Sequence, residues 1–418
     1  MLGNMVDIMV GQRISVMKKS GNSKKGVRKN TWLLPRLNLT PDQRKAVEMP
    51  PDKHLLVLGP AGSGKTQLLI HRASYLADTY EVSSDSYRLF VYNDIVREHA
   101  RRGVKHLGLY EETVTTVDHW CRLLYGKHIS KDLPRTYVNL RIDFPVIRSE
   151  VLHLLEREKE LQNQLEFVLV DDGHDLGPEV YRILKLVARH ITVFADFQQK
   201  IVENGTSESF ISKTLGLGER KNTLSGAYRN TPYVANLASY FIVDEGLRQK
   251  YLGQIATEPK VKEQPLCYIS PSVDKEMDLL AETVKMRWSM NERIGIIVCT
   301  NKLLHELAEG LKERGVEVEK AIEMDAQNVL HMPYDFGNDV PKIMTYHTAK
   351  SLTFDSIFMP RLTENSFVGT QSEARQRMLF TGIVRARKWV YLSTVRGIEL
   401  KEISILKAAK TDGHLLMI

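Results

Sequence analysis

HLLVLGPAGSGKTQLLIHRASYLA, residues 54–77, is the stretch whose reading decides the fold. An apolar run over 54–59 reads as a buried strand, and QLLIHRASYLA reads as the helix that leaves it. Between them lies GPAGSGKT, Gly59 to Thr66. Gly59, Gly62 and Gly64, with Ala61 and Ser63, let backbone N–H groups curl around phosphate oxygens. Lys65 reaches the β and γ oxygens, and Thr66 offers its hydroxyl to Mg2+. An inert glycine-rich turn gives no reason for Lys and Thr to follow it, so the segment predicts a nucleoside triphosphate site.

Outward from this loop, short β-rich runs alternate with amphipathic helical stretches. The runs are RLFVY (88–92), FVLVD (167–171) and ITVFA (191–195) in the first half. In the second half they are IGIIVC (294–299), KIMTY (342–346), SIFMP (356–360) and WVYLS (389–393). The alternation predicts an α/β chain with two doubly wound parallel sheets. The text turns polar and Gly-containing between Ser207 and Tyr228, where the chain is expected to cross from the first domain (37–227) to the second (228–418). A charged, helix-periodic stretch from Val151 to Leu165 predicts a small helical insertion in the first domain, about 122–165.

With 418 residues, 43% of them hydrophobic, the chain buries a sizeable core and is no small stapled scaffold. Three scattered cysteines, Cys121, Cys267 and Cys299, make neither a disulfide framework nor a four-ligand zinc site, which points to a reducing cytoplasm. No apolar run is long enough to span a bilayer, and MLGNMVDIMVG lacks the basic flank of a secretory signal, so no membrane partner is expected. Residues 1–36 hold eight basic residues and one acid, which accounts for the whole net charge of +7 and leaves the rest neutral. KKSGNSKKGVRKN reads as a flexible basic arm able to touch phosphates, or equally as a solvated tail.

A phosphate loop needs a carboxylate at the end of a second buried strand, and FVLVDDGHD supplies two. Asp171 is expected to hold the metal with Thr66, and Asp172 to accept the proton of the attacking water. The competing reading, a helix N-cap, explains the acids less well because the strand precedes both.

The order of motifs from about Leu39 to Thr394 resembles the UvrD/Rep-like superfamily 1 DNA helicases. That resemblance implies two RecA-like P-loop NTPase domains with ATP and Mg2+ in the cleft between them. LTPDQ is similar to the segment that reads adenine, through Gln43, although Thr40, Pro41 and Gln43 also spell a capping box. ADFQQ (195–199) is similar to the third motif, with Gln199 sensing the γ-phosphate and Asp196 linked to the metal site. AYRNTPYVANLA is similar to the fourth, with Tyr228 on adenine and Arg229 on the γ-phosphate. RQRMLFTGIVRARKWVYLS resembles the sixth, with Arg385 as the arginine finger. MTYHTAKSLTFDSIFMP resembles the fifth, which carries His347 and Lys350 towards nucleic acid. VYNDI and TTVDHWC resemble strand-lining motifs, which makes Asn93, Thr116 and Trp120 candidates for phosphate contact and base stacking; for Trp120 core packing is an equal alternative.

Several positions depart from the family pattern. Asp172 stands where a glutamate is usual and His174 where a glutamine is usual. Ser351 and Thr353 replace a glycine and a glutamate, Val202 and Asn204 stand where aromatics often stack on bases, and Val384 replaces a threonine. The spacing between Tyr228 and His347 leaves no room for the large accessory insertion of better-known members. Two expectations follow. One is an ATP-dependent single-strand DNA translocase or helicase, with 3′ to 5′ polarity implied by the resemblance. The other is a weakly hydrolysing, nucleotide-gated subunit that acts with a partner such as a nuclease, in repair or in defence.

Overall fold

Aliphatic runs with no polar alternation form strands only where both faces of the sheet are covered, and a computed structural model of the chain has that arrangement. It describes residues 33–60, 62–137, 140–197, 205–218, 220–224, 230–253, 255, 263–322, 340–350 and 352–418. Leu33–Ile418 form one compact unit containing two all-parallel sheets. The fold is α/β, with two RecA-like lobes.

The first sheet is built from β1 (Leu55–Leu58), β2 (Tyr87–Phe90), β3 (Val114–Thr115), β4 (Leu165–Val170), β5 (Ala188–Ala195) and β6 (Lys221–Thr223), in the order β3-β2-β4-β5-β1-β6. Its helices include α1 (Pro41–Glu48), α2 (Lys65–Thr79), α3 (Asp94–His106), α4 (Val117–His128), α5 (Phe144–Arg157) and α6 (Pro178–Val187). The second sheet has β7 (Leu266–Ser270), β8 (Ile294–Val298), β9 (Glu319–Ala321), β10 (Lys342–Thr345), β11 (Phe354–Met359), β12 (Ala386–Val395) and β13 (Leu416–Met417), in the order β13-β7-β12-β11-β8-β10-β9.

All eight runs read as strands from the sequence are strands here. The chain also makes β3, β6, β7, β9 and β13, which that reading lacked. Most of these are two or three residues long and lie at or next to a sheet edge, where a polar run such as Lys221–Thr223 gains its ladder from a neighbour and not from its own pattern. The charged stretch after residue 122 also differs from expectation. Its helix, α5, starts earlier, because Asp143 accepts the Val146 N–H at 3.2 Å and Pro145 sits in the first turn. It ends at Arg157, short of Leu165.

Each sheet carries its own apolar cluster. Ile95 on α3 of the first lobe is 1% exposed and belongs to the second lobe's cluster, with Leu352, Phe354 and Ile357 among its members. No described helix is long and apolar enough to cross a membrane.

Candidate functional site

The site forms at the carboxyl ends of β1, β5 and β4, which are neighbours in the first sheet although far apart in sequence. Leu58 lies opposite Ala195, and the Gly59 N–H donates to the Ala195 carbonyl at 3.2 Å, so the phosphate loop and Asp196 leave the sheet side by side. Gly62 and Gly64 have φ of +85° and +88°, the left-handed region that glycine enters freely. Gly59 is required for space, since a Cβ there would stand 2.4 Å from Ser63 Oγ.

Lys65 Nζ donates to the carbonyls of Gly59 and Pro60 at 2.9 and 3.2 Å and stands 3.6 Å from Asp196 Oδ2. The loop is braced from behind by Gln43. Its Oε1 accepts the Thr40 N–H at 3.0 Å, closing a capping box, while its Nε2 donates to the Ser63 carbonyl at 2.9 Å. Both ends of the amide are thus engaged within the protein, and the capping box is formed. The α1 helix is pinned to α2 by fully buried Arg72, which donates to the carbonyls of Ala46, Val47 and Met49 and to Thr192 Oγ1.

The carboxylates follow β4. Thr66 Oγ1 donates to Asp171 Oδ2 at 2.7 Å, which joins the loop to the second strand. Burial, and then the neighbouring Asp172, push the Asp171 carboxyl up to about 7, against the hydrogen bond from Thr66 and the charge of Lys65. Added positive charge is what this pair of hard oxygen ligands lacks, and the set fits Mg2+, which takes few protein ligands and keeps its remaining positions for water and phosphate. Among the described residues no group of three or more His, Cys, Asp or Glu forms a separate metal cage. Asp172 has φ +49° and ψ 40°, a left-handed conformation rare for a residue with a Cβ.

The second lobe delivers cations to the same place. Arg385 is buried at the end of the helix Ser372–Ile383 and donates from Nε to the Thr381 carbonyl at 3.1 Å. Burial lowers its pKa, while the charges of Asp172, Asp196 and Asp171 act in the opposite sense, so the guanidinium lies within electrostatic reach of the first lobe's acids. Asn230 brackets it, donating from Nδ2 to the carbonyls of Val384 (2.9 Å) and Ala386 (2.6 Å). Sequence reasoning missed this residue; its only signal is its place directly after Arg229.

Lys350, read from the sequence as a nucleic-acid contact, is 2% exposed and forms an ion pair with Asp175. Its Nζ is 3.3 Å from His174 Nε2 and lies over the Tyr92 ring at 5.4 Å. Burial draws its pKa down to about 8 against the pull of Asp172. His347, three residues earlier, is exposed. Asn93 and Thr116 cap α3 and α4, accepting the N–H of Val96 (2.9 Å) and His119 (3.2 Å). Trp120 packs edge to face on Phe90 with centroids 5.9 Å apart. Ala61, Gln199, Tyr228 and Arg229, with Ser351, Val202 and Asn204, lie outside the described residues.

Comparison with known proteins finds matches to parts of the chain. Residues 39–132 match the UvrD/REP helicase N-terminal domain. DNA helicase II of Escherichia coli (strain K12) is 31% identical over 134 residues, covering 30% of this chain and 17% of that protein. DNA helicase II of Haemophilus influenzae is 30% identical over 136 residues, with the same shares of 30% and 17%. The match thus spans about a sixth of the length of these relatives. Among solved structures, the C-terminal domain of a possible DNA helicase from Lactobacillus plantarum WCFS1 aligns at a TM-score of 0.34 and 17% identity, over 46% of this chain and 99% of that one. The segment that carries the phosphate loop is thus similar to the UvrD/REP helicase N-terminal domain, and the second lobe brings Arg385 towards that loop.

Proposed function

We propose that the protein is an ATP-dependent single-strand DNA translocase or helicase, moving 3′ to 5′ and hydrolysing ATP between a first RecA-like domain (37–227, with its insertion at about 122–165) and a second (228–418). The observation that carries this reading is the 2.7 Å bond from Thr66 to Asp171 beneath a glycine loop, with Lys65 beside it and Arg385 facing it from the other lobe. In this reading Lys65 binds the β and γ oxygens. Asp172 takes the proton of the attacking water, and Arg385, with Arg229, neutralises the charge that develops on the transferred phosphoryl group. Mg2+ held by Thr66 and Asp171 supplies further neutralisation of the phosphate oxygens. Gln199 senses the γ-phosphate, and Tyr228 and Gln43 flank the base. Exposed His347, with Asn93, Thr116 and Trp120, marks the strand's side of the molecule. We place the activity in the cytoplasm.

One observation favours a second reading, a weakly hydrolysing nucleotide-gated subunit working with a nuclease or another repair or defence partner. Asp172 is shorter than the glutamate usual at its position and is held in a left-handed turn, and a misplacement of about 1 Å lowers a rate by roughly a hundredfold. ATP turnover measured with and without single-stranded DNA, for the wild type, Lys65→Ala and Asp172→Glu, separates the two. Strand-stimulated turnover that Lys65→Ala abolishes is the result expected of a motor. Turnover that is undetectable until Asp172→Glu restores it would overturn the motor in favour of the gated subunit.

A further inference from the structure

We infer that Lys350 is a positioning residue: from the second lobe it clamps the Asp172–Asp175 turn of the first, so that closing the lobes assembles the base that hydrolysis needs. The inference rests on the ATPase reading above, and it removes Lys350 from the strand-binding surface.

The turn is tight and largely held from below. The Asp175 N–H donates to the Asp172 carbonyl at 3.0 Å, and Tyr181 Oη donates to the Gly173 carbonyl at 2.6 Å. A Cβ on Gly173 would stand 2.4 Å from Val193 Cγ1, so the turn is pressed onto the sheet. His174 is fully buried, and its Nδ1 accepts the Asp196 N–H at 3.3 Å, which ties the turn to the end of β5. A further constraint comes from the other lobe. Lys350 follows a single helical turn, Tyr346–Ala349, whose Tyr346 and Ala349 sit in the second lobe's apolar cluster. From that anchor its ammonium pairs with Asp175 and reaches His174 Nε2.

A strained residue persists only where its surroundings over-determine it. Asp172 is strained, and one of the groups fixing its turn belongs to a body that moves when the cleft opens. Both charges of the Lys350–Asp175 pair are buried, so neither tolerates losing the other without rearrangement. Separation of the lobes therefore frees Asp175, loosens the turn and displaces the Asp172 carboxylate.

The test uses the full chain with Lys350→Met, Asp175→Asn, the double variant, and Lys350→Arg as the conservative replacement. Strand-stimulated kcat is expected to fall about a hundredfold in each single neutral variant, with KM for ATP and Kd for single-stranded DNA within about threefold of wild type. The double variant is expected to be no slower than either single one, and Lys350→Arg to recover part of the rate. Multiplying losses in the double variant would overturn the clamp. So would an unchanged kcat at saturating strand with a Kd weakened about tenfold or more, which would return Lys350 to the strand. Amide hydrogen exchange over residues 171–177 decides the matter without turnover. Lys350→Met is expected to speed it about tenfold while β1 and β5 stay protected; unchanged protection would overturn the clamp. A wild type that hydrolyses no ATP would refute the motor and leave the exchange result standing.

Discussion

Gly59 shows how little tolerance the site has. An added Cβ meets Ser63 Oγ at 2.4 Å and Leu224 Cδ1 at 2.9 Å, so Gly59→Ala must shift the loop that Lys65 and Gln43 hold. The variant is expected to lose about 1–3 kcal/mol in urea unfolding and to bind ATP more weakly. Gly126, in α4, is the opposite case, because a Cβ added there meets no neighbouring atom within 4 Å. Gly126→Ala is expected to stabilise by about 0.5–1 kcal/mol with unchanged ATP affinity. Two buried histidines set the acid limit. Burial, then Arg293 and Arg102, hold His99 at about 3, and burial, then Arg72, hold His190 at about 3. Both rings fold neutral, and the unfolded chain takes up their protons near the ordinary histidine value of 6.5. Their contribution is therefore complete above that value and is lost as pH falls from it towards about 3, at roughly 1.4 kcal/mol per pH unit for each ring. Urea midpoints measured from about pH 7 to about pH 5 are expected to fall, and His99→Leu to flatten the slope.

At the scale of elements, the site depends on how α1 and α2 are joined. Arg72 of α2 covers the last carbonyls of α1 at 2.8–3.1 Å, and burial lowers its pKa only to about 10, so it stays charged. Arg72→Met leaves those carbonyls unpartnered. It is expected to cost about 3 kcal/mol or more, seen in the melting temperature, and to weaken ATP binding because Gln43 loses its footing against Ser63. The strand-loop-helix unit at 54–77 was legible because its chemistry is local: glycines, lysine and threonine act where they stand. Long aliphatic strands were legible for the same reason. The short edge strands were not, since Lys221–Thr223 is a strand only because β1 lies beside it. The pairing of Lys350 was not legible for a related reason. Resemblance to the fifth motif gave it to the strand, and nothing near it in sequence announces Asp175, with which it pairs across the cleft.

For the whole molecule, the charge is concentrated at one end of the sequence. Residues 1–36 carry the entire excess of +7, and the last four of them belong to the unit Leu33–Ile418. Leu33 is 4% exposed, the Leu34 carbonyl accepts from His71 Nε2 at 2.8 Å, and Arg36 bonds Glu48 at 2.7 Å and lies over the Tyr75 ring. Removing residues 1–32 is expected to leave basal ATPase and melting temperature unchanged while flattening the salt dependence of DNA binding. An unchanged salt slope would show that the segment makes no phosphate contact. Removing residues 1–36 is expected to lower the melting temperature as well, because it strips the strap from α2.

Ile95 bears on the ancestry of such a chain. An isoleucine rooted in one lobe and finished in the core of the other makes the halves unequal to independent life. Expressed alone, the first would display a greasy peg and the second the socket made for it. Recombination at the crossing would yield working chimeras only where peg and socket came from matched parents, so the two lobes are inherited, and must be engineered, as a pair.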